Sequence, residues 1–314
     1  MDFVIFILAI GSLIWGADFI IQESEKIAIK LNIPEFIIGA TLIALGTSLP
    51  EMASSVMATI NNKTDMAISN VIGSNILNIS LVLATIFIVT NNIKPNRDFF
   101  KKDTSWALFP VMLFILMSLD GTIDKFDGIL LILLMIAYIL FLIKESNEMG
   151  ISEIGKLDNF SWFKTIPLLL LGFTLVIGGA HFSVESASDI ARSFKVSEWV
   201  IGIILLSFGT SLPEFIVSIS AALKGKADMA IGNIIGSNLS NITIVIGASA
   251  IVKELPIDLS NHIVLFNISA MFIATVMLIY ITANRLYNKS AGISLWILLA
   301  IFLKETLDNM FISS

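Results

Sequence analysis

The chain has no cysteine and only two histidines, His181 and His262. The first absence excludes disulfides, thiolate metal sites and cysteine nucleophiles; the second argues against a histidine-rich metal centre. Charge is scarce as well. Only 14% of the 314 residues are Asp, Glu, Lys or Arg, where soluble domains carry about a quarter. So few charges cannot make a solvated surface, which excludes a soluble enzyme. The net charge of −6 leaves no basic footprint for nucleic acid. The start, Met1–Asp2–Phe3, has no basic n-region, which argues against a cleaved signal peptide. What remains is apolar: 56% of residues are hydrophobic and mean hydropathy is +0.91. This is the composition of a polytopic protein of the lipid bilayer.

A membrane helix needs about 20 mainly apolar residues. Ten such segments are expected, at 2–21, 34–60, 66–91, 105–119, 127–143, 165–190, 197–223, 229–252, 262–282 and 291–310. The loops after the first, third, fifth, seventh and ninth segments hold 13 of the 19 basic residues. The excess of Lys and Arg puts that side in the cytoplasm and both termini outside it. Residues 144–164 read as a solvated cytoplasmic linker between two five-helix halves, 1–143 and 165–314.

The halves are related. Residues 39–79 and 202–242 align without a gap at an offset of 163, with 22 of 41 positions identical. GATLIALGTSLPEMASSV and GIILLSFGTSLPEFIVSI are followed by DMAISNVIGSNILNI and DMAIGNIIGSNLSNI. Upstream, Gly16 and Ala17 match Gly179 and Ala180. Five segments separate the copies, so the second enters the membrane upside down. Inverted repeats with a midplane site are a plan of secondary transporters.

The identities are concentrated in polar residues inside apolar segments. Glu51 and Glu214 lie deep in the second and seventh, with no Lys or Arg between Lys30 and Lys63 or between Lys195 and Lys224. A mid-bilayer carboxylate is costly unless protonated, hydrated or paired with a cation. Two at equivalent positions point to a cation site. Gly46 and Pro50, and Gly209 and Pro213, interrupt their helices and would free carbonyls near Ala44 to Thr47 and Ser207 to Thr210. Ser48 to Glu51 and Ser211 to Glu214 also read as capping boxes. Thr47 and Glu51, Thr210 and Glu214, Ser74 and Asn78, and Ser237 and Asn241 are spaced to share helix faces. All are oxygen donors suited to Na⁺ or Ca²⁺, and no soft ligand is present. Gly73 and Gly236 read as helix-packing positions. Asp65 and Asp228 read as helix N-caps. Asn70, Asn75, Asn233 and Asn238 could line the cavity or bond between helices. Asp18 and its counterpart His181 read as interfacial.

The paired GTSLPE and GSNxxN blocks strongly resemble the α-repeats of the Na⁺/Ca²⁺ exchangers, within the cation/Ca²⁺ exchanger superfamily. The plan of two five-span halves covers nearly the whole chain, and the specific motif recurs once in each half. The resemblance implies an all-α membrane protein of ten transmembrane helices, functional as a monomer in the cell (inner) membrane. It implies exchange of Na⁺ for Ca²⁺ without a cofactor or an enzymatic reaction. Glu51 and Glu214 would bind the two ions alternately, joined at the Ca²⁺ site by backbone oxygens of Thr47 and Thr210. Thr47, Ser48 and Ser74, with the Ala44 carbonyl, would form one flanking Na⁺ site. Thr210, Ser211 and Ser237, with the Ser207 carbonyl, would form the other. Asn78 and Asn241 would sit at the middle, and the first and sixth helices would slide across the core. Some archaeal and K⁺-dependent relatives carry Asp where this chain has Asn241, which argues against K⁺ cotransport here. Ca²⁺/H⁺ relatives usually show GNxxE in place of GTSLPE, which favours Na⁺ coupling over a Ca²⁺/H⁺ antiporter. A cation channel is a more distant alternative.

Overall fold

The computed structural model describes residues 2–90, 93–148, 160–194 and 207–312. Most of the expected linker and the first part of the seventh segment lie outside these residues. The described chain is almost entirely helical. Its main helices are α1 (Asp2–Leu31), α2 (Glu35–Thr47), α3 (Leu49–Ile60), α4 (Thr64–Val89), α5 (Thr104–Asp120) and α6 (Lys125–Glu148). They continue with α7 (Trp162–Ser193), α8 (Leu212–Leu223), α9 (Ala227–Val252), α10 (His262–Ala283) and α11 (Lys289–Ile312). Among the described residues seven helices are long and apolar enough to cross a membrane, or eight if the bent pair α2 and α3 is one span. α5 and α8 are shorter apolar helices.

α1 runs ten residues beyond its expected end at residue 21. Gln22 to Lys30 is polar but made of good helix formers, and Lys26 pairs with Glu23 one turn back at 2.6 Å. The helix therefore outlasts its apolar stretch. The chain forms two compact units, and each draws from both sequence repeats: Met1–Pro50 with Leu142–Gly236, and Glu51–Phe141 with Ser237–Ser314.

In the first unit α1 crosses α7 in the opposite sense. Gly16 lies against Gly172 and Gly179 against Ala9, while the Ser12 hydroxyl donates to the Leu175 carbonyl at 2.9 Å. A shift of 163 residues turns the first of these contacts into the second, and Ser12 and Leu175 are themselves counterparts, so the crossing is locally two-fold. Small residues let the backbones approach. The outer face of α1 stays apolar: Ile7, Leu8 and Trp15 are 68–69% exposed. Such a face suits lipid rather than water.

In the second unit Ile72 and Ile76 of α4, Phe114 of α5, Leu131 of α6, Ile246 of α9 and Met271 of α10 share one apolar core. Strands β1 (Thr122–Ile123) and β2 (Leu255–Pro256) pair antiparallel at one end.

Polar contacts within each unit join loops and helix ends. In the first unit Lys226 bonds Glu35 at 2.8 Å and also Glu25, and Lys224 pairs with Asp18. In the second, Arg285 lies 3.5 Å from Asp98. These join loops of the basic side. On the other side, Lys253 donates to Asn62 at 2.5 Å and β1 pairs with β2. Burial pulls the Lys226 ammonium toward neutrality, but its bonds to Glu25 and Glu35 outweigh this and hold its pKa above the usual lysine value. It stays charged at physiological pH.

Candidate cation site

Pro50 has no N–H for the Gly46 carbonyl, and Pro213 none for that of Gly209. Both helices break where this predicts. Ser48 (φ −83°, ψ 5°) and Ser211 (φ −87°, ψ 1°) adopt nearly the same non-helical geometry. At Ser48 the chain bends by 44° between α2 and α3. The glycines of the motif also make room: a Cβ on Gly46 would fall 2.2 Å from the Phe173 ring, and one on Gly209 2.8 Å from Val184. Both neighbours belong to α7.

The break changes three expectations. Thr47 ends one helix and Glu51 belongs to the next, so the four-residue spacing does not define a common face there. The Ala44 carbonyl accepts the Ser48 N–H at 3.0 Å and lies 3.3 Å from the Thr47 hydroxyl, so it is not freed. The expected cap bond of Ser211 does not form, and the Ser48 hydroxyl donates to Glu214 Oε1 at 2.9 Å. That bond joins the two copies of GTSLPE within the first unit. The Thr47 hydroxyl has acceptors in the Ile43 carbonyl at 3.1 Å and Asn233 Oδ1 at 3.3 Å. The backbone of Ser207 is helical, while its side chain lies outside the described residues. Thr210 is half-buried at the turn.

Glu51 and Glu214 are each 0% exposed, and Thr47, Ser48, Ser74, Ser211 and Ser237 are each buried. Among the described residues no three His, Asp or Glu side chains gather.

In the second unit α4 and α9 carry the amides. Both helices widen to a π-helical turn that starts at the motif asparagine, Asn78–Leu83 in one and Asn241–Ile246 in the other. Such turns are frequent at functional sites. Ser80 bonds the Ile76 carbonyl at 2.7 Å, and its counterpart Thr243 bonds the Leu239 carbonyl at 2.7 Å. Hydroxyls that bond back to the preceding turn strain a regular helix. Ahead of the wide turn the expected spacing holds, since the Asn78 N–H bonds the Ser74 carbonyl.

Residues 1–144 and 164–304 match the family described as sodium/calcium exchanger protein. The chain belongs to that family. Among its relatives, the sodium/calcium exchanger MaX1 of Methanosarcina acetivorans is 30% identical over 96% of this chain and 97% of its own length. The inner membrane protein YrbG of Escherichia coli is 31% identical over 80% of this chain and 81% of its own. The solved structure of the sodium-calcium exchanger NCX_Mj soaked with zero Na⁺ and Ca²⁺ superposes with a TM-score of 0.84. It has 30% identity and covers 97% of this chain and 98% of that one. The protein is thus a multi-pass membrane protein of an exchanger family, and that family is one of transporters rather than enzymes.

Other polar residues of the repeats settle among the roles the sequence left open, and two depart from them. Asn70 and Asn233 bond between helices, donating to Ser55 at 3.0 Å and to Ser218 at 2.9 Å. Asp65 and Asp228 sit inside the first turns of α4 and α9 rather than at the N-cap; there a carboxylate favours the helix dipole. Gly236 packs as expected against Ala40. A Cβ on Gly73 would meet nothing within 4 Å among the described residues; the counterpart of Ala40, Ile203, is outside them. His181 is exposed beside Glu185 at 3.7 Å. The wide turns at Asn78 and Asn241 were not foreseen. Their signal is a hydroxyl two residues after each motif asparagine.

Proposed function

We propose that the protein is a secondary antiporter that exchanges Na⁺ for Ca²⁺ by alternating access. The observation that carries this reading is the duplicated, buried donor set. Each copy supplies a fully buried carboxylate, Glu51 or Glu214, beside a helix break. Each also supplies an asparagine, Asn78 or Asn241, whose side-chain carbonyl oxygen is buried without a hydrogen-bond partner among the described residues. Oxygens left unbonded in a membrane interior are costly unless something fills them. In this reading that is a cation.

The two carboxylates share the ions: one Ca²⁺ or several Na⁺ neutralise them, and competition for the same oxygens couples the fluxes. Backbone oxygens of Thr47 and Thr210 complete the Ca²⁺ site. Thr47, Ser48, Ser74 and the Ala44 carbonyl form one Na⁺ site. Thr210, Ser211, Ser237 and the Ser207 carbonyl form the other, with Asn78 and Asn241 central. A hydroxyl that gives its hydrogen to a carboxylate, as Ser48 does to Glu214, keeps its lone pairs for a cation. A site without a cation leaves two negative charges in the membrane interior and resists the conformational switch.

Ten spans in two inverted five-helix repeats belong to the same proposal. The opposed directions of α1 and α7, the short apolar α5 and α8, and the sorting of loop contacts support it. The basic loops face the cytoplasm, both termini lie outside, and the monomer suffices for transport. That MaX1 and NCX_Mj are sodium/calcium exchangers favours Na⁺ as the coupling ion.

The test is equilibrium binding of ⁴⁵Ca²⁺ to purified protein. Na⁺ is expected to displace Ca²⁺ steeply, whereas K⁺ and choline do not. Displacement by protons alone, with indifference to Na⁺, would favour a Ca²⁺/H⁺ antiporter. In the same assay Ser48→Ala is expected to raise the Na⁺ concentration needed for half-displacement about five-fold, the effect of one lost hydroxyl contact. An unchanged midpoint would remove Ser48 from the Na⁺ site.

A further inference from the structure

Four asparagines of the second unit form a closed lattice, and its logic starts at the backbone. Asn75 Nδ2 donates to the Asn238 carbonyl at 3.2 Å, and Asn238 Nδ2 donates to the Asn75 carbonyl at 3.2 Å. A carbonyl only accepts, so neither amide can turn over without setting oxygen against oxygen. A second contact holds Asn75 the same way round: its Nδ2 lies 3.8 Å from the Met271 sulfur. With their nitrogens committed, Asn75 and Asn238 present Oδ1 to the motif asparagines. Asn241 Nδ2 donates to Asn75 Oδ1 at 3.1 Å, and Asn78 Nδ2 donates to Asn238 Oδ1 at 3.0 Å. Asn78 and Asn241 are thereby forced to turn their own Oδ1 atoms away. Those two oxygens are the ones that are fully buried and without a partner.

An amide is indifferent to its orientation unless its neighbours decide it. Facing a cation, one orientation attracts and the other repels. We infer that Asn75 and Asn238 are positioning residues that lock the amides of Asn241 and Asn78 with oxygen toward the ion. This rests on the Na⁺/Ca²⁺ exchange reading above, and it assigns roles to two residues that this reading leaves without any. Each helix's motif asparagine is aligned by the other helix, so both halves of the lattice must be intact for either oxygen to face the site.

The inference predicts a particular pattern of rescue. Asn75→Ala frees the Asn241 amide to turn, and Ca²⁺ affinity is expected to fall about ten-fold, as for loss of an outer partner of a metal ligand. A carboxylate at position 241 has an oxygen in either orientation and needs no alignment. In an Asn241→Asp background, Asn75→Ala is therefore expected to change Ca²⁺ affinity by less than about two-fold. The measurement is ⁴⁵Ca²⁺ binding by the wild type, both single variants and the double variant. Equal weakening in both backgrounds would mean that Asn75 acts only through general packing and would overturn the inference. So would no weakening in either. A wild type whose bound Ca²⁺ is not displaced by Na⁺ overturns the exchange reading first and this one with it. If Asn75→Ala does not fold, the half-buried Asn238 gives the same cycle through Asn78, with Asn238→Ala measured in native and Asn78→Asp backgrounds.

Discussion

Glu214→Gln is expected to abolish Na⁺-driven Ca²⁺ transport while leaving the protein folded. The amide has the same shape as the acid and keeps an oxygen to accept from Ser48, whose hydroxyl lies 2.9 Å from the native carboxylate. The fold therefore loses little. The site loses half of its fixed negative charge. A single charge in a membrane interior is worth about 3 kcal/mol on the lower of the disputed scales, which corresponds to a factor of about 100 in affinity. Glu51→Gln is expected to behave alike, since Glu51 is just as buried. Flux into proteoliposomes and thermal unfolding in detergent check the two halves of the prediction. Retention of a tenth or more of wild-type flux in either variant would remove that carboxylate from the site. Unfolding of both would show that the acids serve the fold instead.

The second large effect concerns packing. A Cβ on Gly236 would stand 2.3 Å from the Ala40 carbonyl oxygen and 2.7 Å from its backbone carbons. These are main-chain atoms, so no rotamer change relieves the clash. Gly236→Val is expected to destabilise the first unit by more than about 3 kcal/mol, in the range of severe overpacking, and to yield little monodisperse protein. Gly11→Ala is the control. Nothing lies within 4 Å of a Cβ there, and alanine favours a helix over glycine by about 1 kcal/mol. It is expected to be neutral or slightly stabilising. Near-equal thermal midpoints for the two variants would contradict the close crossing of α2 and α9.

Much of this was legible in the sequence because membrane helices obey a strong constraint. Apolar runs of sufficient length have few alternatives to helix, and most span limits fell within a few residues of the expected ones. The breaks at Ser48 and Ser211 were legible because Pro50 and Pro213 remove a donor whatever the surroundings. The end of α1 was misjudged because hydropathy reports the membrane rather than the helix, and the helix formers of Gln22 to Lys30 keep the helix going. The bond from the Ser48 hydroxyl to Glu214 was not legible, because its acceptor lies on another helix of the other repeat. The wide turns and the asparagine lattice depend on which residues of α4 face α9, and periodicity within one helix does not contain that. The offset of 163 did. Asn75 and Asn238, like Asn78 and Asn241, are each other's counterparts in the repeat, and reciprocal bonds between counterparts are what a two-fold crossing produces.

The most direct test of ion exchange is ⁴⁵Ca²⁺ uptake into liposomes that contain the purified protein and are loaded with Na⁺. Uptake is expected only when Na⁺ is high inside and low outside, and not when K⁺, choline or a pH gradient replaces it. Uptake driven by the pH gradient, or in the absence of any counter-gradient, would contradict Na⁺/Ca²⁺ exchange and point to proton coupling or to a channel.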